Sequence, residues 1–252
     1  MTRLTDSPYL LAVLSFLTLW ACAWIGAKVL GRYAAEGQLA REDFRTVLAA
    51  CLTLLGLTVG FSFSMAVSRY DLRQRAESLE ADAIGTEYLR ADLLPASEAE
   101  TTRQLLRRYL TQRIQFFDAR GTDPFRQIDE QTSRLQHEMW SAVRTPAVPP
   151  TTFTALAVAG MNDVLSSQGN TQAAWANRIP SEAWALMGLI AILCNLMIGV
   201  SARHLEGRSV FLVLPLVTAI AFFLIADIDS PAGGGVIHVL PHNLAALGTL
   251  MR

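Results

Sequence analysis

The chain has 252 residues, 52% of them hydrophobic and 17% charged, with a mean hydropathy of +0.31. That is too apolar for a soluble domain and too charged for a bundle wholly immersed in lipid, so the chain divides between two solvents. A formal net charge of −1 and a pI near 6.4 exclude the basic surface that holds a nucleic-acid backbone, and no nucleic-acid partner is expected. Cys22, Cys51 and Cys194 all fall in apolar runs, without CxxC or Cys/His spacing, so neither a zinc site nor a disulfide framework follows.

About 20 apolar residues are needed to cross the hydrocarbon of a bilayer. Four segments qualify, at about 8–30, 44–68, 184–202 and 209–226. The first is too long for a signal peptide and has no A-x-A-like cleavage site after it, so it is expected as a retained span. Trp20 and Trp24 in the first span, and Trp175 and Trp184 near the start of the third, are expected at the membrane interface or as lipid-facing bulk.

The predicted fold is an all-α membrane protein with four transmembrane helices and a long helical insert between the second and third. The expected divisions are a transmembrane hairpin at 1–68, a helical extramembrane domain at 69–181, a second transmembrane hairpin at 182–228 and a C-terminal tail at 229–252. The stretch FSMAVSRYDLRQRAESLEADAIGTEYL passes from lipid-soluble to charged with no Pro and only a late Gly85, so the second span continues unbroken into the insert. A helix from Phe44 to about Leu93 would be roughly 75 Å long.

Within the insert, Leu72, Ala76, Leu79 and Ala83 follow a 4,3,4 spacing and predict the face on which this extension packs. Leu105, Leu106, Tyr109, Leu110, Ile114 and Phe117 form a second stripe, and Phe125, Ile128, Thr132, Leu135 and Met139 a third. Pro95 with Ser97 and Glu98, then Gly121 with Asp123 and Pro124, then the three prolines of 145–150 mark the turns between helices. A last helix runs from Phe153 and is expected to end near Gly169 and Asn170.

With four spans, the N-terminus, the insert and the tail share one face of the membrane. The short loops and their flanks carry Lys28, Arg32, Arg41, Arg45, Arg203 and Arg208, opposed mainly by Arg3, because the insert exceeds the roughly 60 residues over which loop charge orients a protein. The short loops are therefore expected in the cytoplasm and the helical domain outside it.

In the second span, Gly56, Gly60, Ser64 and Ser68 recur every four residues and lay a small-residue strip along one side. Such strips let helix backbones approach closely in lipid. Packing within the monomer, a subunit interface and a pore-facing strip are all open uses. Thr53, Thr58 and Ser62 add hydroxyls that could line a narrow water path. Asn195 sits mid-span, where an unpaired amide is costly, and is expected to bond a hydroxyl or carbonyl on a neighbouring helix, with a permeation or ligand role as the alternative.

Arg69 and Asp71 leave the membrane after the second span, and Asp227 and Asp229 after the fourth, on the same face. They are expected to form a clamp between helices or an ion-entry vestibule. His238 and His242 are separated by Pro241 and preceded by glycines, so no metal site is assigned to them. Nucleophile elbow, Walker loop, HExxH and dinucleotide turn are all missing, and Glu77, Glu80, Asp82 and Glu87 read as a solvated or interface-packed helix face. No catalytic residue and no cofactor are expected, and the chain is not read as an enzyme.

The segments LLGLTVGFSFSMAVSRYDLRQRAESLEADAIGTEYLRADLLP (54–95) and FFLIADIDSPAGGGVIHV (222–239), with two spans, a helical insert, two spans and a tail, resemble the bacterial bestrophin-like membrane domain family. The resemblance covers most of the chain and implies distant kinship with bestrophins, pentameric anion channels whose second helix lines the pore and whose large helical portion is cytosolic. This sequence lacks their stacked aromatic neck and acidic calcium clasp. What the resemblance implies is a homo-oligomeric ion channel or pore of the bacterial inner membrane, with the lipid bilayer as solvent and an inorganic ion as permeant species. The other reading is a non-conducting sensor or scaffold that relays contacts through its helical domain.

Overall fold

The computed structural model describes residues 6–29, 38–119, 122–144, 150–202, 210–230 and 235–251. Among them the regular elements are α1 (Pro8–Lys28), α2 (Gln38–Arg90), a 3-10 turn (Ala91–Leu93), α3 (Ala96–Asp118), α4 (Thr122–Val143), α5 (Thr152–Ala176), α6 (Ser181–Ala202), α7 (Val210–Asp229) and α8 (His242–Leu250). No strand occurs among the described residues. Arg3, Arg32, Arg203, Arg208, Gly121, Gly233, Gly234 and the proline-rich turn at 145–149 lie outside the described residues, as do the side chains of Arg41 and Phe125.

Four helical stretches are long and apolar enough to cross a membrane: α1, the apolar part of α2, the Thr152–Ser201 stretch that contains α6, and Leu212–Asp229 in α7. The 53 residues of α2 form one continuous helix, about 80 Å long at the standard rise. It carries no proline, so no backbone hydrogen bond is lost where its side chains change from apolar to charged.

The chain separates into two compact units, Met1–Ser68 with Arg178–Ile237, and Arg69–Asn177 with His238–Arg252. In the transmembrane unit α1 packs against α6 and α7, and α6 against α7. The α1–α6 crossing is a backbone contact. A Cβ at Gly26 would run into the carbonyl oxygen of Leu196, and one at Gly199 into that of Ala23. Neither glycine stood out in the sequence, because the pair forms only across the crossing.

The helical unit packs α3 against α4 and α8, and α4 against α5. The stripes expected on α3 and α4 are the ones buried: Leu106, Tyr109 and Leu110 on one, Thr132, Leu135 and Met139 on the other. The stripe expected on α2 is buried only at Ala76. Leu72 and Leu79 are exposed at 47% and 62%, while Arg73, Glu77, Glu80 and Glu87 are buried. The large buried residues beyond Ser68 are Arg73, Glu77, Glu80, Ile84 and Glu87, a 4,3,4,3 spacing continued by Ala91 in the 3-10 turn, and Arg73, Glu77 and Glu80 hold the core side because each finds hydrogen-bond partners there, described below.

Two further expectations are corrected. α5 runs past Gly169 and Asn170 to Ala176, its start fixed by a reciprocal cap between Thr151 and Thr154. One mid-helix glycine costs only about 1 kcal/mol, too little to end a packed helix. Trp175 is no interfacial anchor. It is buried in the helical unit against Phe116 and Phe117, with ring centroids 4.8 and 5.5 Å away. Trp20 and Trp24 are exposed, and Lys28 lies 5.2 Å from the Trp24 ring, while Trp184 meets Phe222 edge-on at 6.0 Å.

Candidate functional site: an exposed strip and a buried charged face

In the transmembrane unit α2 has two unlike sides. Leu55, Ser62 and Ala66 are buried. Gly56, Gly60, Ser64 and Ser68 are exposed, and a Cβ at either glycine would meet no atom within 4 Å. The strip is therefore not the face on which α2 packs within its own chain. The hydroxyl residues divide between the sides. Thr53 is exposed and donates to the carbonyl of Ala49 at 2.9 Å, Thr58 is half-buried and donates to those of Leu54 and Leu55, and Ser62 is buried.

Asn195 is fully buried in α6, and its Nδ2 donates to Ala191 Oat 2.8 Å, one turn back on its own helix. The expected bond to a neighbouring helix is replaced by this local one, which a helix interior always offers. Its Oδ1 accepts no hydrogen bond.

The juxtamembrane acids hold backbone. Asp227 accepts the N–H groups of Val236 and Ile237 at 3.0–3.1 Å, and a Cβ at Gly235 would overlap its Oδ1. The glycine run of the Asp-Ile-Asp-Ser-Pro segment thus includes one position where the carboxylate needs the space of a missing side chain. Asp229 accepts the N–H of Ile179 at 3.1–3.2 Å and lies 3.8 Å from Arg178, whose Nη1 pairs with Asp6. In the helical unit Arg69 donates to the Asn177 side chain at 3.3 Å, and Asp71 is exposed. Arg73 donates to the carbonyls of Ala174 and Asn177, a cation placed at the C-terminal end of α5 where the helix dipole is negative. Among the described residues no group of three metal-ligating side chains is gathered.

The buried charged face of α2 is the part of the site that sequence reasoning missed. Glu77 accepts the backbone N–H groups of Asn243 and Leu244, each at 2.9 Å, and the Asn243 side-chain amide at 2.7 Å, so it caps the start of α8. The other end of α8 is held by Arg107, whose Nε donates to the Met251 carbonyl at 2.7 Å. One turn from Glu77, Glu80 takes Arg113 of α3 in a two-pronged pair and the Thr171 hydroxyl of α5 at 2.7 Å. The Arg113 guanidinium also lies over the Phe116 ring, 4.3 Å from its centroid. The 4,3 spacing from Arg73 to Ala91 was legible; its polar occupants concealed it from a search for apolar residues.

The elements so far define a class: a multi-pass helical membrane protein whose second helix continues without a break into a second helical unit. The chain belongs to the Bestrophin-like domain family, whose sequence profile matches residues 13–239. Its fold is shared with a bacterial bestrophin homolog from Klebsiella pneumoniae. One mutant form of that protein gives a TM-score of 0.68 at 13% identity, covering 95% of this chain and 97% of that one. Another crystal structure of it gives 0.64 at 15% identity, covering 96% and 95%. No curated protein matches the chain.

Proposed function

We propose that the protein is a homo-oligomeric, bestrophin-like ion channel of the bacterial inner membrane, with α2 nearest the axis and the helical unit as vestibule. The observation that carries this reading is the exposed Gly56, Gly60, Ser64 and Ser68 strip, joined by Thr53, on a helix whose opposite side is already used. Small and hydroxyl-bearing residues left free on a membrane helix are suited to a close subunit contact or a wetted path, and bestrophins are channels. Exposed Leu72 and Leu79, seven residues apart on α2, give neighbouring copies an apolar seam beyond the bilayer.

Purified protein in planar bilayers should conduct, and Gly60→Leu or Ser64→Leu should change the conductance without loss of folded protein. Folded oligomers that stay silent would favour the rival reading, a non-conducting sensor or scaffold, and a monomer in detergent would end the shared-pore reading. The side of the membrane is decided separately by a reporter fused after Arg252. Activity of the reporter in the periplasm follows the arginines of the short loops, and activity in the cytoplasm follows the bestrophin likeness.

A further inference from the structure

One buried acid serves none of the contacts described so far. Glu87 is fully buried on α2, and neither of its carboxyl oxygens has a hydrogen-bond partner. It is closed off by Gly160 of α5, where a Cβ would overlap Glu87 Oε2 and stand 2.6 Å from Arg90 Nη1. α5 thus approaches this carboxyl as closely as a backbone can.

The charges around Glu87 come from each neighbouring element. Arg90, one turn along α2, lies at the rim and reaches Asp163, one turn beyond Gly160 on α5, at 3.7 Å. Toward α3, Arg103 pairs with Asp92, which commits those two charges to each other. Burial pushes the Glu87 carboxyl up to about 8; Arg90 pulls it down and Asp163 adds to the rise. Glu87 belongs to the helical unit, about 19 residues past the apolar part of α2. A neutral carboxylic acid tolerates such an enclosure, whereas a carboxylate there has lost its water and gained no donor.

We propose that Glu87, Arg90, Asp163 and Gly160 form a proton-operated latch between α2 and α5. With Glu87 neutral, α5 is seated and Arg90 is left to Asp163. With Glu87 ionised, the carboxylate draws Arg90 away from Asp163, takes in water and unseats α5 around Gly160. The latch stands on the helical unit alone and holds whether or not the protein conducts.

Hydrogen–deuterium exchange of the α5 amides at 157–165 in the full chain, corrected for the intrinsic pH dependence of exchange, reads the latch directly. Protection should fall about tenfold between pH 7 and pH 9, since the ionised fraction of a carboxyl with its midpoint near 8 rises by about that factor across the interval. Glu87→Gln should hold α5 protected across that range. Asp163→Asn should move the midpoint to lower pH and Arg90→Gln to higher pH. These two replace partly exposed side chains and decide the matter even if Glu87→Gln fails to fold. Protection that is flat with pH in the native chain, a pH dependence that survives in Glu87→Gln, or midpoints that move in the opposite directions would overturn the latch.

Discussion

Glu80 and Arg113 are fully buried, one on α2 and one on α3, and Arg113 reaches both carboxylate oxygens of Glu80 through Nε and Nη2. Thr171 supplies a third donor from α5. Three helices therefore meet at a pair of charges, where an apolar contact would be the ordinary solution. Removing one partner leaves the other charged in a dry interior, so Glu80→Ala or Arg113→Ala should cost about 3–5 kcal/mol. Replacing both with Met should recover most of that loss. Thermal melts of the detergent-solubilised chain, compared across the single and double variants, check the pattern; equal losses in singles and double would contradict it.

Glu77 makes a second prediction, confined to α8. Its carboxylate gathers three donors at the start of this nine-residue helix. Hydrogen bonds to a charged acceptor contribute about 1.5–3 kcal/mol. Glu77→Ala should raise exchange and protease sensitivity at 242–251 while leaving α4 unchanged, and limited proteolysis followed by mass measurement would show it.

The glycines of the membrane helices should separate into two kinds. Gly26→Ala and Gly199→Ala press a methyl group into a carbonyl of the facing helix, and overpacking of this sort costs about 1–3 kcal/mol or more. Gly56→Ala and Gly60→Ala enter open space within the chain. The first pair should lower the yield of folded protein in detergent size-exclusion profiles. The second pair should leave it intact and act only on assembly or conductance.

Stability should depend on pH through Glu87. Its carboxyl is raised from 4.5 to about 8 in the folded chain, so over that window the folded state holds a proton that the unfolded chain has released. Stability is complete below about pH 4.5 and declines as pH rises to about 8. The melting temperature of Glu87→Gln should fall less over this interval than that of the native chain. Parallel curves for the two would contradict the assignment.

Much of this architecture was legible from the chain. Hydropathy marked the four apolar stretches, and the missing breaker between Phe63 and Leu89 foretold the continuous α2. Periodicity also found the buried stripes of α3 and α4, where the core is apolar. On α2 beyond Ser68 it found the buried Ala76 but also selected Leu72 and Leu79, while the helix buries Arg73, Glu77, Glu80 and Glu87. A hydrophobic count cannot see a face whose burial is made tolerable by partners elsewhere in the sequence: Ala174, Asn243, Arg113 and Thr171. The same holds for Gly26 and Gly199, whose meaning exists only once α1 and α6 cross. The Asp227 and Asp229 pair was visible as a motif, yet its backbone partners lie in Ile179, Val236 and Ile237, which no spacing rule connects to it.

Beyond Ser68 the large buried residues of α2 are Arg73, Glu77, Glu80, Ile84 and Glu87, with Ala76 and Ala81 beside them. The steps between the large ones, from Arg73 to Glu87, are three or four residues, so this part of the helix holds one face toward its partners in the helical unit. A one-residue insertion between Glu77 and Glu80 would turn everything beyond it by about 100° relative to Glu77, so that α8, α3 and α5 could not all keep their bonds to this helix. The spacing of these carboxylates is thereby a fixed length: each residue added or removed between them shifts Glu80 against Glu77 by about 1.5 Å and 100°, and the bonds to α8, α3 and α5 allow neither.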